Sequence, residues 1–339
     1  PPDWETFTSE LDTQLENQRG DTELLMDTLR ETHHAQLFRL LAQDLAGALT
    51  VERLADHLSK LADIMVEATL REVWQAMPKR HREVPRFAVI AYGKLGGKEL
   101  GYASDLDLIF LYEDDHPDAP MLYTRLAQRF ITWMTSPTSA GVLFDIDIAL
   151  RPDGASGLMV SSFDSFERYQ NESAWAWEHQ ALTRARFCAG DTSIGSRFED
   201  LRNRILRRSR DPAWLKAEIL KMRQRIHDAH PNRSTQFDLK HDAGGMIDIE
   251  FIVQYLVLEY SLQYPELTNN FGNIALLKTG AELGLIPKDA GETVSSIYRE
   301  FRKLQHQIRM QGAEQARVAP ESVKTQSDAV KALWQRIFG

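Results

Sequence analysis

The sequence has 339 residues, a formal net charge of −9 and a single cysteine, Cys188. The length suits two or three domains with a real core. The acidic balance argues against gripping a nucleic-acid backbone, and no apolar run approaches the roughly 18 residues that cross a membrane.

One cysteine forms no internal disulfide, which fits a reducing, cytoplasmic setting; Cys188 reads as a buried structural thiol. The start at Pro1-Pro2, with neither initiator methionine nor secretory leader, is the expected look of a fragment of a longer chain.

Residues 1–80 predict helices. Val51, Leu54, Leu58, Leu61 and Met65 recur at three- and four-residue steps, and Thr50 sits where an N-cap belongs. This lead-in shows no convergent polar set, and His33, His34 and His57 lack metal-ligand spacing. Residues 81–190 predict a mixed domain. Phe87 to Ile90 reads as a buried strand, Leu106 to Tyr112 as a second, Leu122 to Met134 as a helix, and Val142 to Leu150 as a third strand with alternating apolar positions. Gly154 and Gly157 mark a turn before a short strand, Leu158 to Val160. Ser161 or Ser162 then caps a helix carrying Phe163, Phe166 and Tyr169.

Residues 191–339 predict a helical bundle. Ile249, Ile252, Val253, Leu256 and Tyr260 form one apolar stripe, and Val294, Ile297, Phe301, Leu304 and Ile308 another, with Pro265 and Pro287 as breaks. The basic run Arg202, Arg204, Arg207, Arg208 and Arg210 reads as a solvated helix face and turn, with docking to an acidic partner protein as the lesser alternative. The expected class is α+β and mostly α: a small mixed sheet flanked by helical segments, with a C-terminal helical bundle.

Chemistry concentrates between Gly93 and Phe110. A glycine-rich turn (Gly93, Gly96, Gly97, Gly101) leads to Ser104, Asp105 and Asp107 at the head of the second strand. Residues two apart on a strand share a face, with Cα atoms about 6–7 Å apart. Asp105 and Asp107 therefore aim at one point, while Leu106, Leu108 and Phe110 are left for packing. Two neighbouring carboxylates repel unless a cation lies between them, and glycines let backbone N–H groups approach an anion. A magnesium-bound nucleoside triphosphate meets both demands.

The block resembles the active-site signature of the nucleotidyltransferase superfamily and, within it, the glutamine synthetase adenylyltransferase family, whose members carry two related nucleotidyltransferase halves. Asp44-Leu-Ala-Gly-Ala-Leu49, Leu150-Arg151-Pro152-x-Gly154, Trp175-Ala-Trp177-Glu178-His179-Gln180 and Gly244-Gly245-x-x-Asp248-x-Glu250-Phe251 extend the resemblance over most of the chain. The tryptophan-containing run is closer to the adenylylating half than to the AMP-removing half. The resemblance implies that residues 81–190 are the nucleotidyltransferase domain and that 1–80 is a lead-in or linker.

It also implies transfer of AMP from ATP to a tyrosine hydroxyl of glutamine synthetase, with pyrophosphate released. Asp105 and Asp107 would hold two magnesium ions, and Asp147 would complete the site as third carboxylate and candidate proton acceptor. Asp145, two residues before it, would support. Gly93, Lys94 and Gly96 would cradle the triphosphate, with Ser104 and Arg151 as further phosphate contacts; an ordinary cap or turn role is the alternative for Ser104, and an ion pair to a nearby Asp is the equally weighted role for Arg151. The PII signal protein and glutamine are the implied regulators.

The family run Asp-x-Arg-Leu-Arg-Pro reads Asp147-Ile-Ala149-Leu-Arg151-Pro152 here, so one arginine is missing. Such a loss is worth roughly 10²–10³ in rate if that cation contacts phosphate. Lys240, Asp248 and Glu250 are candidates for a cleft or effector pocket, although the helix dipole alone favours carboxylates at a helix start. Trp175 and Trp177 are expected on one helix as packing residues. The AMP-removing half, a PII uridylyltransferase and a non-catalytic sensing module remain as alternative readings.

Overall fold

The computed structural model describes residues 2–269 and 272–339. The elements run α1 (Trp4–Asn17), α2 (Thr22–Leu45), α3 (Val51–Ala76), β1 (Phe87–Ala91), α4 (Gly93–Gly96), β2 (Leu106–Tyr112), α5 (Ala119–Thr135), β3 (Ile146–Asp147), β4 (Val160–Ser162) and α6 (Phe163–Glu172). There follow α7 (Ala176–Leu182), β5 (Arg186–Gly190), α8 (Thr192–Leu206), α9 (Pro212–Ala229), β6 (Phe237–Asp238), α10 (Met246–Tyr260), α11 (Asn273–Glu282), α12 (Lys288–Met310), β7 (Arg317–Val318) and α13 (Lys324–Phe338). The chain is mostly helical with one small mixed sheet, the expected α+β class. It divides into two compact units, residues 1–173 with 185–201, and residues 174–184 with 202–339. Among the described residues no helix is long and apolar enough to cross a membrane.

In the first unit five strands form the sheet, in the order β3-β2-β1-β5, with β4 also on β2. β1 pairs antiparallel with both β2 and β5, whereas β3 and β4 run parallel to β2. Every residue of β1 is buried, so it reads as an unbroken apolar run. Leu106, Leu108 and Phe110 enter the main apolar cluster together with Trp74, Tyr123 and Phe130. Phe110 meets Phe87 at 5.7 Å and Phe130 edge-on at 5.7 Å between ring centroids. Thr50 and Ser162 cap α3 and α6 as their positions predict, each side chain accepting an N–H three residues on.

The third strand is much shorter than Val142–Leu150. Only Ile146 and Asp147 pair with β2. Before them, Thr138 and Gly141 close a tight turn, and the N–H groups of Leu143 and Phe144 both donate to Met134 O at the end of α5. After them the chain turns: Asp147 Oδ1 takes the Ala149 N–H at 2.7 Å. Apolar alternation thus continues through a segment whose backbone bonds go elsewhere. The following strand is likewise displaced to Val160–Ser162, with Leu158 79% exposed ahead of it.

In the second unit α10 is buried along Ile249, Ile252, Val253 and Leu256, and α12 along Val294, Ile297 and Phe301, so both expected stripes face a core. Most of the basic run is not a solvated face, Arg204 alone being exposed. Arg202 is 1% exposed, and its guanidinium donates to Leu182 O at 3.0 Å, Thr183 O at 2.6 Å and Thr268 O at 3.0 Å. Arg207 donates to Thr268 and Pro265, and Arg210 to the carbonyls of Ile205, Leu206 and Leu258. These arginines cap loose carbonyl ends inside the unit, where a fork of five donors satisfies several acceptors at once. Trp175 departs from expectation too. It precedes α7 as its N-cap and is 63% exposed, so it is not a core residue, while Trp177 is half-buried.

Candidate active site

The site is built where β1 hands the chain to β2. Tyr92 N–H donates to Asp107 O at 2.8 Å, which locks the start of the glycine-rich turn against the second strand. The turn itself is the single helical turn α4. Gly93 has φ +55°, and a Cβ there would collide with Asp107 Oδ2, so glycine is required both by backbone conformation and by space. Gly96 is buried; its N–H donates to Tyr92 O at 2.8 Å, and the Gly97 N–H to Gly93 O at 3.0 Å. Gly96 therefore closes the turn, and the N–H groups at its opening belong to Gly93 and the residues just after it. Lys94 is half-buried on this turn.

A second, smaller turn delivers the acids. Gly101 N–H donates to Ser104 Oγ at 3.0 Å, and Ser104 N–H to Gly101 O at 3.3 Å. Ser104 oxygen thus holds the turn. Asp105 follows it immediately, and Leu106 N–H then donates to Asp145 O at 2.9 Å, the first link to the third strand. The parallel register sets Asp107 opposite Asp147. Carboxylate oxygens of Asp105, Asp107 and Asp147 lie within 4.8 Å of one another, and this is the only such acidic, histidine or cysteine group among the described residues.

Three negative charges at that spacing are unfavourable without a cation, and hard oxygen donors suit a hard divalent ion. The donor set therefore fits a metal. Asp147 Oδ1 already takes the Ala149 N–H, which orients the carboxylate and leaves Oδ2 for other partners. Asp145 is exposed and stands outside the triad; its carbonyl, rather than its side chain, takes part by holding Leu106.

Arg151 makes no ion pair with an aspartate among the described residues. Its guanidinium donates to Ile148 O at 2.7 Å, Ala155 O at 3.1 Å and Gly157 O at 3.3 Å, tying the loop that follows Asp147. Lys240, Asp248 and Glu250 belong to the second unit. Lys240 is exposed. Asp248 is buried, accepting from Arg223 Nε at 2.5 Å and from Gly244 N–H at 2.7 Å. Glu250 accepts from Tyr298 at 3.1 Å and pairs with Arg184 at 3.5 Å. A Cβ at Gly244 would meet Ser327 O at 2.5 Å, and one at Gly245 would meet Leu239 O at 2.8 Å. Packing thus accounts for the glycines of that motif.

Several residues that shape the site are not marked as site residues by the sequence, although Asp44 opens one of the motifs that carry the resemblance. Helix α2 belongs to the stretch with no evident polar convergence, yet three of its side chains reach the loops around the acidic triad. Arg30, fully buried, donates to Gly141 O, Trp133 O and Ser136 O at 2.8, 2.6 and 2.7 Å, fixing the turn that leads to β3. His33 packs on Phe144 with 4.7 Å between ring centroids. Asp44 accepts the Tyr102 hydroxyl at 2.9 Å. From β5, buried Arg186 donates to Leu95 O at 3.1 Å and Asp63 Oδ1 at 2.9 Å, bracing α4 from behind. Cys188 is half-buried rather than buried. Its thiol donates to Asp63 at 3.2 Å, and desolvation, with Asp63 beside it, pushes its pKa up, away from a reactive thiolate.

A sequence profile described as glutamate-ammonia ligase adenylyltransferase matches residues 1–201, and one described as GlnD PII-uridylyltransferase matches residues 213–333. Similar curated proteins are bifunctional glutamine synthetase adenylyltransferase/adenylyl-removing enzymes. The one from Aromatoleum aromaticum is 56% identical over 338 residues, spanning 100% of this chain and 36% of the relative. The Chromobacterium violaceum protein is 55% identical over 99% of this chain and 37% of its own length, and the Burkholderia mallei protein 53% identical over 100% and 37%. The chain therefore spans little more than a third of the relatives it matches.

Proposed function

The chain belongs to the glutamate-ammonia ligase adenylyltransferase family, and from that premise we propose that its first unit moves AMP from ATP to a tyrosine hydroxyl of glutamine synthetase, releasing pyrophosphate. The observation that carries this reading is the meeting of Asp105, Asp107 and Asp147 within 4.8 Å beside the Gly93 turn. In this reading the phenol oxygen attacks the α-phosphorus, the bond to the bridging oxygen of the β-phosphate breaks, and the phenol proton passes to Asp147. Bound magnesium would neutralise the phosphate charge and acidify the attacking phenol.

The chain's own groups do the holding. Asp105, Asp107 and Asp147 are the metal ligands of the proposal, and N–H groups at the opening of the Gly93 turn, with Lys94, would hold the triphosphate. Such transfer depends mainly on positioning and charge neutralisation. Glutamine synthetase as partner, the PII protein and glutamine as regulators, and a cytoplasmic setting are part of the same proposal. The similarity of residues 213–333 to the uridylyltransferase profile lies outside the stretch that carries the acidic triad. It therefore does not favour uridylyl transfer.

The run Trp175-Ala-Trp177-Glu178-His179-Gln180 favours adenylylation over removal. Two assays separate them. The chain is incubated with unmodified glutamine synthetase, Mg²⁺ and ATP labelled at the α-phosphate, and label on protein is followed. In parallel, adenylylated glutamine synthetase is supplied with phosphate and ADP release is followed. Label incorporation is expected. ADP release without label would assign the chain to the opposite direction, and silence in both with ATP still bound would favour a sensing module.

A further inference from the structure

The acid-bearing turn is held by a helix that contributes nothing to the triad. Asp105 is the least constrained of the three acids, because it precedes β2 and its ladder. What fixes it is the Gly101–Ser104 turn on one side and the Leu106 N–H bond on the other. The side chain that anchors this turn is Tyr102, packed against the main apolar cluster with its hydroxyl on Asp44 Oδ2 at 2.9 Å.

Asp44 is one residue from the C-terminal end of α2. A carboxylate is unfavourable there, where the helix dipole already concentrates negative charge. The helix is capped at Ala46, with Gly47 at φ +69° donating its N–H to Asp44 O, and needs no aspartate side chain for this. Asp44 is also half-buried, which adds a desolvation cost. A partner must offset both, and the Tyr102 hydroxyl is that partner. Burial first, and the hydrogen bond to Asp44 second, push the Tyr102 phenol well above its usual range, so it remains a donor at any working pH.

We propose that Asp44 is a positioning residue for the metal-binding acids, acting through Tyr102 to fix the turn that presents Asp105. This rests on the reading of the triad as a metal site. It explains why an aspartate stands at the end of α2, and it ties a helix 58 residues away in sequence to the geometry of the catalytic acids.

The test is titration of the chain with Mn²⁺ alone, followed by electron paramagnetic resonance, beside thermal unfolding in metal-free buffer. Asp44→Ala and Tyr102→Phe are each expected to weaken Mn²⁺ binding about tenfold, the scale seen when the support of a metal ligand is removed. The double variant should be no weaker than either single one, because both break the same link. Asp44→Asn, which keeps an acceptor oxygen, should restore most of the affinity. The double variant removes both partners of the hydrogen bond, so its loss of binding should appear with little change in the metal-free unfolding midpoint, whereas Tyr102→Phe alone leaves Asp44 without its donor. Unaltered Mn²⁺ binding in Asp44→Ala and Tyr102→Phe, in a chain that itself binds the ion, would overturn the positioning role and leave the metal site standing. An unaltered chain that binds no better than Asp107→Asn would overturn the metal reading, and the positioning role with it.

Discussion

Gly93 lies so close to Asp107 that no side chain can be placed between them: a Cβ on Gly93 would collide with Asp107 Oδ2. The glycine-rich turn and the acid pair are therefore one object, because the turn seats the carboxylate sterically as well as facing the nucleotide in the proposed reaction.

Gly93→Ala is expected to reduce AMP transfer at least 100-fold while the chain remains folded. The left-handed φ of +55° costs a Cβ-bearing residue about 1–2 kcal/mol, and the added methyl displaces Asp107. Transfer rate and Mn²⁺ binding should fall together; a variant that transfers normally would mean Asp107 can move without consequence.

Asp105→Asn and Asp107→Asn should abolish transfer and leave the secondary structure intact. Each removes an anionic ligand from a group held within 4.8 Å, yet keeps the shape of the side chain. Because like-charge repulsion is relieved, the metal-free variants should melt no lower than the unaltered chain. Near-normal turnover with unchanged Mg²⁺ dependence in either variant would rule the metal assignment out.

Ala149→Arg should raise the transfer rate or tighten ATP binding. Position 149 is exposed next to Asp147, to which its N–H donates at 2.7 Å, so a guanidinium can be added without disturbing a core. Arg151 already donates to three loop carbonyls, so an added guanidinium at 149 would supply a cation of its own. If ATP affinity and rate are both unchanged, position 149 is not part of the phosphate site.

His33 should make stability depend on mildly acidic pH. Burial, with His34 a lesser cause, lowers its pKa from 6.5 to about 3. Between those values the unfolded chain holds a proton that the folded chain does not. Stability is therefore fully present above pH 6.5 and falls as the pH drops toward 3, by up to about 1.4 kcal/mol per pH unit. Urea denaturation of His33→Gln at pH 7, 6, 5 and 4 should show a shallower fall by that amount; identical slopes would remove His33 as the source.

Arg202→Met should destabilise the second unit by about 3 kcal/mol, since it strips three buried carbonyls of their donor. The check is urea denaturation. A change within about 0.5 kcal/mol, the size of an ordinary surface substitution, would restore the reading of this run as a solvated face.

Local patterns in the sequence determine a good part of this protein. The strands at Phe87–Ala91 and Leu106–Tyr112, the caps Thr50 and Ser162, and the sorting of Leu106, Leu108 and Phe110 to the core all follow from two-residue and 3.6-residue periods that need only neighbouring residues. Asp105 and Asp107 were legible for the same reason. Asp147 could be named only by resemblance, because its place opposite Asp107 depends on a parallel register between strands forty residues apart.

The tertiary structure decided the rest. The alternation across Val142–Leu150 does not make a strand where Met134 O and the Asp147 side chain take the backbone N–H groups. Arg202 looks in sequence like any arginine on a basic helix, since the carbonyls it serves come from Leu182, Thr183 and Thr268. Asp44 and Tyr102 both stand in stretches the sequence singles out, but their bond spans 58 residues. A hydrogen bond between distant residues leaves no period in the chain, so only the folded structure reveals which polar side chains hold the site and which face water.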